Sequence, residues 1–535
     1  EMGVLRESDS SWYMREENGG LLLGPYEIGA PACYVDGPSD ESEYELFQED
    51  LDRLLPHIET AIARVPAFGE VGVKKVYNGA IAYTPDGSPI VGPAWDVPNF
   101  WLNEGHSFGV TAAGGAGWQL AEWIVEGEPT IDMLGVDPRR FGPYASRGYL
   151  KTKNEEAYAK VFTIHYPDEE RTAARPLKTS PVYDRMKALG AVFGTVYGWE
   201  RPGWFAPPGY ALTEADLARP DVLLNENFAE PRPGEAVREK WSFRRSNYFP
   251  FVGEECRNVH ENVGIQDMSP FAKAIVSGPG ARDWLDSILA NRIPKNRGRI
   301  ALCHLLTSRG GVRSEFTVYE RAPGEFYLVS AGALERHDHD VLRKLLPADG
   351  SVAFRPVTEA RGVLVVAGLN SRKVLHKLTD ADLSHAAFPW LTGRHVSIGP
   401  VALDLLRVNF VGELGFELHH PIEVQNTLFD LVWQAGEEFG IRPFGIKAML
   451  ALAVEKSYRL VGRELSIEYA AFESGLDRFV HLNKGPFLGS AGLTAWRERG
   501  FANRFVTLEV HGITDVDARG SEPILLDGEM VGRCT

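Results

Sequence analysis

The sequence predicts an α+β multidomain chain, and three observations carry that expectation. Its 535 residues, 44% hydrophobic and 24% charged, hold more apolar material than one core can use, so two to four domains are expected. Two stretches, IVSGPGARDWLDSIL and VVAGLNSRKVLHKL, each read as strand, Gly turn and helix. Gly278 and Gly368, Arg282 and Arg372, and Leu285 and Leu375 are each 90 residues apart. The echo is either a duplicated βα unit in a mixed domain or a coincidence between two common elements. Finally, the character of the chain changes near residue 135, where Tyr, Arg and Pro with weak periodicity run to about Pro181, and again at the alternating tail from Phe501.

Taken in order, Gly20 to Ile28 is a short apolar run that ends in turn residues. NGAIAYTPDGSPIVGP, Asn78 to Pro93, places a P-D-G turn between two β-rich runs and predicts a hairpin. From Asn99 to Gly127 the chain reads as a short strand, a Gly-rich bend and an apolar helix, with Trp118, Ala121, Trp123, Ile124 and Val125 expected to be buried. Between about Gly135 and Pro181 periodicity is weak, and a small or irregular domain is expected. GWERPGWFAPPG, Gly198 to Gly209, packs aromatics and prolines densely enough to predict a rigid, packed loop. Leu428 to Phe439 and Ile446 to Val454 carry helical apolar spacing, the second as a deeply buried helix. The tail alternates as RFVTLEV and then EPILLDGEMVG, with D-G as a hairpin turn, so a small β domain begins there.

A formal charge of −17 and a pI near 5.4 argue against a nucleic-acid partner, which needs a concentrated basic face. No apolar run reaches the roughly 18 residues of a membrane span, and no signal-peptide layout opens the chain. Cys33, Cys256, Cys303 and Cys534 form no CxxC pair, so neither a disulfide framework nor a zinc site is indicated and a reducing compartment fits best. Glu1 in place of Met, and a last stretch EMVGRCT that still reads as strand, point to a chain cut at both ends.

Three groups of residues could carry chemistry. In SFGVTAAGGAGWQL, the glycines Gly114, Gly115 and Gly117 lead into a helix, where they serve either close packing or the approach of an electron-rich ligand edge to a positive helix end. In VNFVGELGFEL, Gly412 and Gly415 form a turn that can aim Glu413 or Glu417 inward. A buried carboxylate is the natural acceptor for two parallel N–H bonds from an amidine-like edge, whereas an isolated Glu is ordinarily a solvated one. The tract His337 to Asp340 and the pair His419–His420 read as a solvated helix start and a strand end rather than as metal ligands.

NGAIAYTPDGSPIVGP followed by GHSFGVTAAGGAG resembles the C-terminal signature of the D-amino-acid-oxidase-like flavoproteins, which oxidise secondary and tertiary amines. With GWERPGWF, VGIQDMSPFAKAIVSGPGA, GGVRSEFTV and VNFVGELGFEL in this order, nearly the whole chain resembles the dimethylglycine and sarcosine dehydrogenases.

The resemblance implies the end of an FAD domain over 1–134, an FAD-oxidoreductase central domain over 135–195, a glycine-cleavage T-protein-like folate domain over 196–500 and the start of a β-barrel domain over 501–535. It implies FAD, with the GxGxxG and the flavin-linking histidine upstream of Glu1, and tetrahydrofolate. Gly114, Gly115 and Gly117 would face the flavin pyrimidine edge. Tyr13, in SWYMREE, would contact the substrate carboxylate; its alternative is a strand aromatic facing the core. Glu417 would bind the pterin. Glu315 stands where aminomethyltransferases carry an aspartate that orients or activates the attacking folate nitrogen, and is one methylene longer.

Phe410 and Ser457 depart from a common tyrosine and a common glycine. The implied reaction is oxidative demethylation of an N-methylated amino acid coupled to one-carbon transfer to folate, with an electron-transfer flavoprotein or oxygen as acceptor. Bacterial cytoplasm is preferred over the mitochondrial matrix. The rival readings are a regulatory relative, such as a pyruvate dehydrogenase phosphatase regulatory subunit, and a folate-only aminomethyltransferase.

Overall fold

In the computed structural model, which describes residues 2–43, 45–217, 227–228 and 234–535, the chain divides into two compact units. The first comprises Glu1–Pro129 and Met133–Arg175, the second Thr130–Asp132 and Pro176–Thr535.

In the first unit, β1 (Leu5–Glu7), β2 (Trp12–Glu17) and β3 (Gly20–Pro25) form an antiparallel meander covered by helix α1 (Leu51–Arg64). Trp12 and Met14 are its buried side, as the period of two requires. Strand β4 (Ile90–Pro93) pairs with β5 (Trp101–Glu104), not with residues 78–83 as the hairpin expectation had it. The TPDG turn does form: Gly87 has φ +80°, and Arg140 clamps Asp86 at 2.7 Å and the Ser88 carbonyl at 2.9 Å. Its upstream arm takes its hydrogen bonds elsewhere, Asn78 exchanging them with Phe47 and Gln48.

Helix α2 (Gly109–Glu126) buries only Trp123 of the five residues expected inside; Trp118 is 65% and Val125 80% exposed. Periodicity identifies an apolar helix but not what covers it: within this unit β4, β5, Met133 and Val136 pack on its Trp123 side. Helix α3 (Arg147–Lys160) lies in the stretch expected to be irregular. It is held by polar bonds rather than an apolar stripe: Glu156 accepts from Lys153, Thr172 and Ala173, and Tyr158 donates to Glu27 at 2.7 Å.

The second unit opens with α4 (Tyr183–Ala188), β6 (Ala191–Val196) and β7 (Trp199–Phe205). GWERPGWF is therefore a strand, not a packed loop. Pro202 is accommodated beside a register shift at Val192/Phe193, the usual place for a residue that cannot donate to a ladder. Short α5 (Glu214–Leu217), β8 (Asn227–Phe228) and β9 (Lys240–Trp241) lead to α6 (Phe249–Glu261) and β10 (Val263–Asp267).

Two copies of one pattern follow. The first is β11 (Ala272–Ser277), α7 (Ala281–Ile288), β12 (Ile300–Leu306), β13 (Val312–Ala322), β14 (Glu325–Ser330) and α8 (Glu335–Lys344). After β15 (Ala353–Pro356) comes the second: β16 (Arg361–Ala367), α9 (Ser371–His376), β17 (Gly393–Ile398), β18 (Val401–Leu406), β19 (Gly415–Pro421) and α10 (Gln425–Gly436). Each copy closes its last strand antiparallel onto its first, giving the orders β12-β13-β14-β11-β15 and β17-β18-β19-β16-β10-β20, where β20 is Ile441–Pro443. The duplication expected from the echo thus extends over whole half-domains. Gly278 and Gly368 start both crossovers at φ +123° and +121°, where a Cβ would lie 2.3 and 2.6 Å from the carbonyl oxygens of Ser351 and Val259.

Helices α7 and α8 cover one face of the first sheet through Trp284, Leu285 and Leu342. Helices α9 and α10 cover one face of the second, while α6 and α11 (Ile446–Glu455) cover the other. Ile275, Tyr319 and Tyr327 of the first sheet meet Leu406 of the second. There buried Asp404 receives Arg321 at 2.9 Å and Arg361 at 2.7 Å, one guanidinium from each sheet. Helix α12 (Ser490–Arg499) and the hairpin β21 (Pro523–Leu526) and β22 (Glu529–Arg533) complete the unit, the hairpin turning at D-G as expected. RFVTLEV is not a strand: Val506, Leu508 and Val510 are exposed without a paired neighbour strand among the described residues.

Candidate functional site

The GELG turn decides which of two carboxylates enters the second unit. The Asn409 side chain accepts from the N–H groups of Val411 and Gly412 at 2.9 and 3.0 Å and donates to the Glu413 carbonyl, folding the loop on itself. Gly412 sits at φ +79°, and a Cβ at Gly415 would lie 2.5 Å from Asn409 Nδ2. Glu413 is thereby turned to Lys456 at 2.9 Å and His260 at 3.2 Å, while Glu417 points into the protein from β19.

Glu417 is 6% exposed and has no cationic partner among the described residues, and its burial pushes the carboxyl up to about 8. Two residues along the strand, and so on the same face, His419 lies 3.0 Å from Glu417 through Nε2 and 3.1 Å from the Tyr327 hydroxyl through Nδ1. Burial, with neighbouring cations, holds His419 neutral. When Glu417 carries its proton, its O–H donates to Nε2 and Nδ1–H donates to Tyr327. When it is ionised, Nε2–H donates to the carboxylate and the Tyr327 O–H to Nδ1. The strand register also sets Gln266 on this face, opposite Val365, which is opposite Glu417. Gln266 is 1% exposed, and neither end of its amide has a hydrogen-bond partner. Sequence reading missed Gln266, Tyr327 and His419; for His419, the period of two from Glu417 was the available signal.

Glu315 belongs to the first sheet. It stands directly across from His304, whose Nε2 is 2.8 Å from Glu315 Oε2. His304 is fully buried, its Nδ1 has no partner, and its ring packs on Phe479. The Glu315 side chain remains partly open to solvent. A histidine and a glutamate on paired strands of a hairpin could have been found in the sequence once the register was known. No hydrogen bond or ion pair joins Glu315 to Glu417.

Phe410 packs against the α11 side of the sheet and against the Tyr458 ring at 5.6 Å. Ser457 adopts φ +55°, a conformation for which glycine is the easier residue, and its hydroxyl bonds Thr507 at 2.6 Å.

The two histidine tracts are buried, contrary to the solvated reading. Helix α8 lies on the first sheet, so Asp338 receives Ser314 at 2.7 Å and lies 3.1 Å from His337, while desolvation lowers His339 to about 4. His420 fills the space opposite Gly362, where a Cβ would meet its Nε2 at 2.5 Å. Among the described residues, no three His, Cys, Asp or Glu side chains assemble as a metal set.

In the first unit, Tyr13 lies across Gly24 on β3, and its ring stacks on Phe162 at 5.7 Å. Its hydroxyl has no hydrogen-bond partner among the described residues. Tyr26, Tyr158 and Phe108 extend this aromatic cluster. Gly114, Gly115 and Gly117 do not start α2 as expected: the helix begins at Gly109, so their N–H groups belong to its interior. A Cβ at any of the three would meet nothing within 4 Å, so they leave a flat, open helix face. The free N–H groups at the helix start are those of Gly109, Val110 and Thr111, Ala112 already donating to Phe108.

Comparison with known proteins agrees with this division. The GCVT N-terminal domain family matches residues 182–484, more than half of the chain, preceded by the FAD dependent oxidoreductase central domain over 126–180 and the FAD dependent oxidoreductase family over 2–123. The chain is 37% identical to mitochondrial dimethylglycine dehydrogenase of Mus musculus, covering 100% of this chain and 59% of that protein. It is 32% identical to mitochondrial sarcosine dehydrogenase of Mus musculus, over 99% of this chain and 59% of that protein. It is 28% identical to the mitochondrial pyruvate dehydrogenase phosphatase regulatory subunit of Mus musculus, over 99% and 59% respectively. The chain thus spans about three-fifths of the length of these curated relatives. It belongs to the GCVT domain family, in the fused arrangement behind an FAD dependent oxidoreductase domain that the dimethylglycine and sarcosine dehydrogenases share.

Proposed function

We propose that the protein oxidatively demethylates an N-methylated amino acid of the dimethylglycine or sarcosine type and passes the one-carbon unit to tetrahydrofolate held in the second unit. The observation that carries this reading is Glu417, a buried carboxylate without a cation, on a sheet face that also bears the unpartnered amide of Gln266. Such a pair fits a pterin, whose amidine-like edge donates two parallel N–H bonds and whose remaining edge offers both donors and acceptors. FAD would supply two-electron acceptance and the folate a nucleophilic nitrogen.

The chain's own residues do the rest. Glu417 gives up its proton as it accepts the ligand's N–H groups, with His419 and Tyr327 turning their hydrogen bonds to the ionised form. Glu315 can accept a proton at Oε1 while Oε2 stays with His304. Tyr13 contacts the amine substrate's carboxylate through its unused hydroxyl. Gly114, Gly115 and Gly117 would leave room for the flavin beside α2, and the N–H groups of Gly109 to Thr111 would be the donors available to a negatively charged edge. The four-part division at 134, 195 and 500 remains the domain proposal. The mitochondrial relatives favour the matrix over the bacterial cytoplasm. An electron-transfer flavoprotein or oxygen takes the electrons, peroxide release separating the two.

The 28% identity to a regulatory subunit, against 37% to a dimethylglycine dehydrogenase, leaves a binding protein without turnover as the second reading behind the enzymatic one. Calorimetric titration with a stable reduced-folate analogue tests the choice. Binding that Glu417→Gln weakens by about 1.5–3 kcal/mol supports the folate site, and a folded parent that binds none favours the regulatory reading.

A further inference from the structure

The pair of His304 and Glu315 belongs to only one of the two half-domains. Ser277 pairs with Glu325 and Ala367 with Gly415, each just before the crossover glycine, so Tyr327 and Glu417 are equivalent positions. Tyr319 opposes Tyr327 and Ile300, and Leu406 opposes Glu417 and Gly393, which makes Tyr319 and Leu406 equivalent as well. Counting along the strands from these anchors, His304 stands where the second half has Ser397, and Glu315 where it has Ala402, again directly opposed. The second sheet forms with a hydroxyl and a methyl at these positions. The histidine is therefore an addition to the frame and not a part of it.

What His304 does is set by its two ring nitrogens. The ring is fully buried and packs on Phe479, and Nδ1 is closed off from solvent without a hydrogen-bond partner. Nε2 lies 2.8 Å from Glu315 Oε2. A neutral imidazole carries one N–H, on one nitrogen or the other. On Nδ1 that N–H would be buried without an acceptor, and an imidazolium would bury it there too. On Nε2 it donates to the carboxylate, and only a lone pair is left unsatisfied. The geometry thus selects the Nε2–H tautomer. Glu315 has no other hydrogen bond or ion pair among the described residues, and its side chain is 22% exposed. A glutamate also has one more torsion to fix than an aspartate. The His304 N–H is the contact that fixes it, leaving Oε1 unengaged.

We propose that His304 is the positioning residue of this carboxylate: as a neutral donor from Nε2 it tethers one oxygen of the longer acid and presents the other for proton transfer. Donor and acceptor sit on paired strands of one hairpin, so the tether is carried by a rigid element and not by a loop. For turnover this rests on the one-carbon transfer proposed above; the tautomer and the tether do not.

The first test is heteronuclear NMR of the histidine ring nitrogens in the chain itself, with His304 assigned by its loss in His304→Phe. The Nε2–H form is expected, and its Nε2 signal should move in Glu315→Ala, which installs the residue of the second half, but not in Glu417→Gln. The second test is turnover of the intact enzyme. His304→Phe, which keeps a ring on Phe479 and removes the donor, should lower kcat for one-carbon transfer about tenfold or more and leave KM for the folate unchanged. His304→Gln, which returns an N–H donor, should recover most of that loss. In a Glu315→Ala background, His304→Phe should lower kcat no further. An Nδ1–H tautomer, an Nε2 signal indifferent to Glu315→Ala, or a His304→Phe enzyme with the parent kcat overturns the proposal. So does a His304→Gln enzyme with the parent Tm and no recovery. A chain that binds no reduced-folate analogue while His304 shows the Nε2–H form tied to Glu315 overturns the folate reading and supports the tether.

Discussion

The first and second half-domains share one chain path, yet each has spent the shared positions differently. His304 and Glu315 face each other across β12 and β13, while the equivalent pair across β17 and β18 is Ser397 and Ala402. Tyr327 in the first half corresponds to Glu417 in the second, and the two residues are linked through His419. Arg282 is neutralised by Glu320, whereas the positions equivalent to that pair in the second half hold Arg372 and Arg407, two cations. Duplication therefore preserved the frame, with its crossover glycines and helix-covered faces, and left individual positions in each sheet free to carry unlike chemistry. One half offers a partly solvated carboxylate aimed by a histidine, suited to exchanging protons. The other offers a dry carboxylate suited to holding a ligand.

The largest effect should come from the frame itself. Gly278→Val and Gly368→Val should each cost about 3 kcal/mol or more in urea unfolding, because a side chain is strained at these φ values and meets a carbonyl oxygen. A marked inequality between the two would mean that the halves are not equivalent supports.

Next, the carboxylates should separate. Glu417→Gln should weaken binding of a reduced-folate analogue by about 1.5–3 kcal/mol, while Glu315→Gln should leave binding within about threefold and lower the rate of one-carbon transfer to folate in the intact enzyme. Equal losses of binding would erase the distinction drawn here.

The pH response follows from the raised Glu417 pKa. Folded protein keeps the proton up to about pH 8, whereas an unfolded glutamate releases it near 4.5. Stability from this group is therefore full below pH 4.5 and lost as pH rises towards 8. Folate binding, which needs the carboxylate as acceptor, should strengthen over the same rise and level off above pH 8. Urea unfolding and calorimetry from pH 5 to 9 should give these opposite slopes, and Glu417→Gln should flatten both.

The smallest effect separates the arginines. Arg282→Gln should cost about 0.5–1 kcal/mol by breaking a partly exposed ion pair, whereas Arg372→Gln in chloride buffer should cost nothing measurable, as differential scanning calorimetry can check.

Much of this was legible in the sequence, for reasons that differ by residue. Gly278 and Gly368 announced the duplication because only glycine tolerates that turn, and Glu417 was readable because its glycine-flanked turn is local. The buried tracts His337–Asp340 and His419–His420 were misread, since hydrophilic residues inside a protein look like surface until their partners are known. Gln266 could not be read at all, for it meets Glu417 only by register across an intervening strand.

The sequence by itself determined the local events: where the chain turns, which segments pair into half-domains, and which family the motifs belong to, because these depend on residues a few positions apart. Only the tertiary structure decided which carboxylate is dry, which histidine aims it, and which arginine lost its acid. Those outcomes depend on strand register and on what covers each face, and the contacts that set them join residues dozens of positions apart.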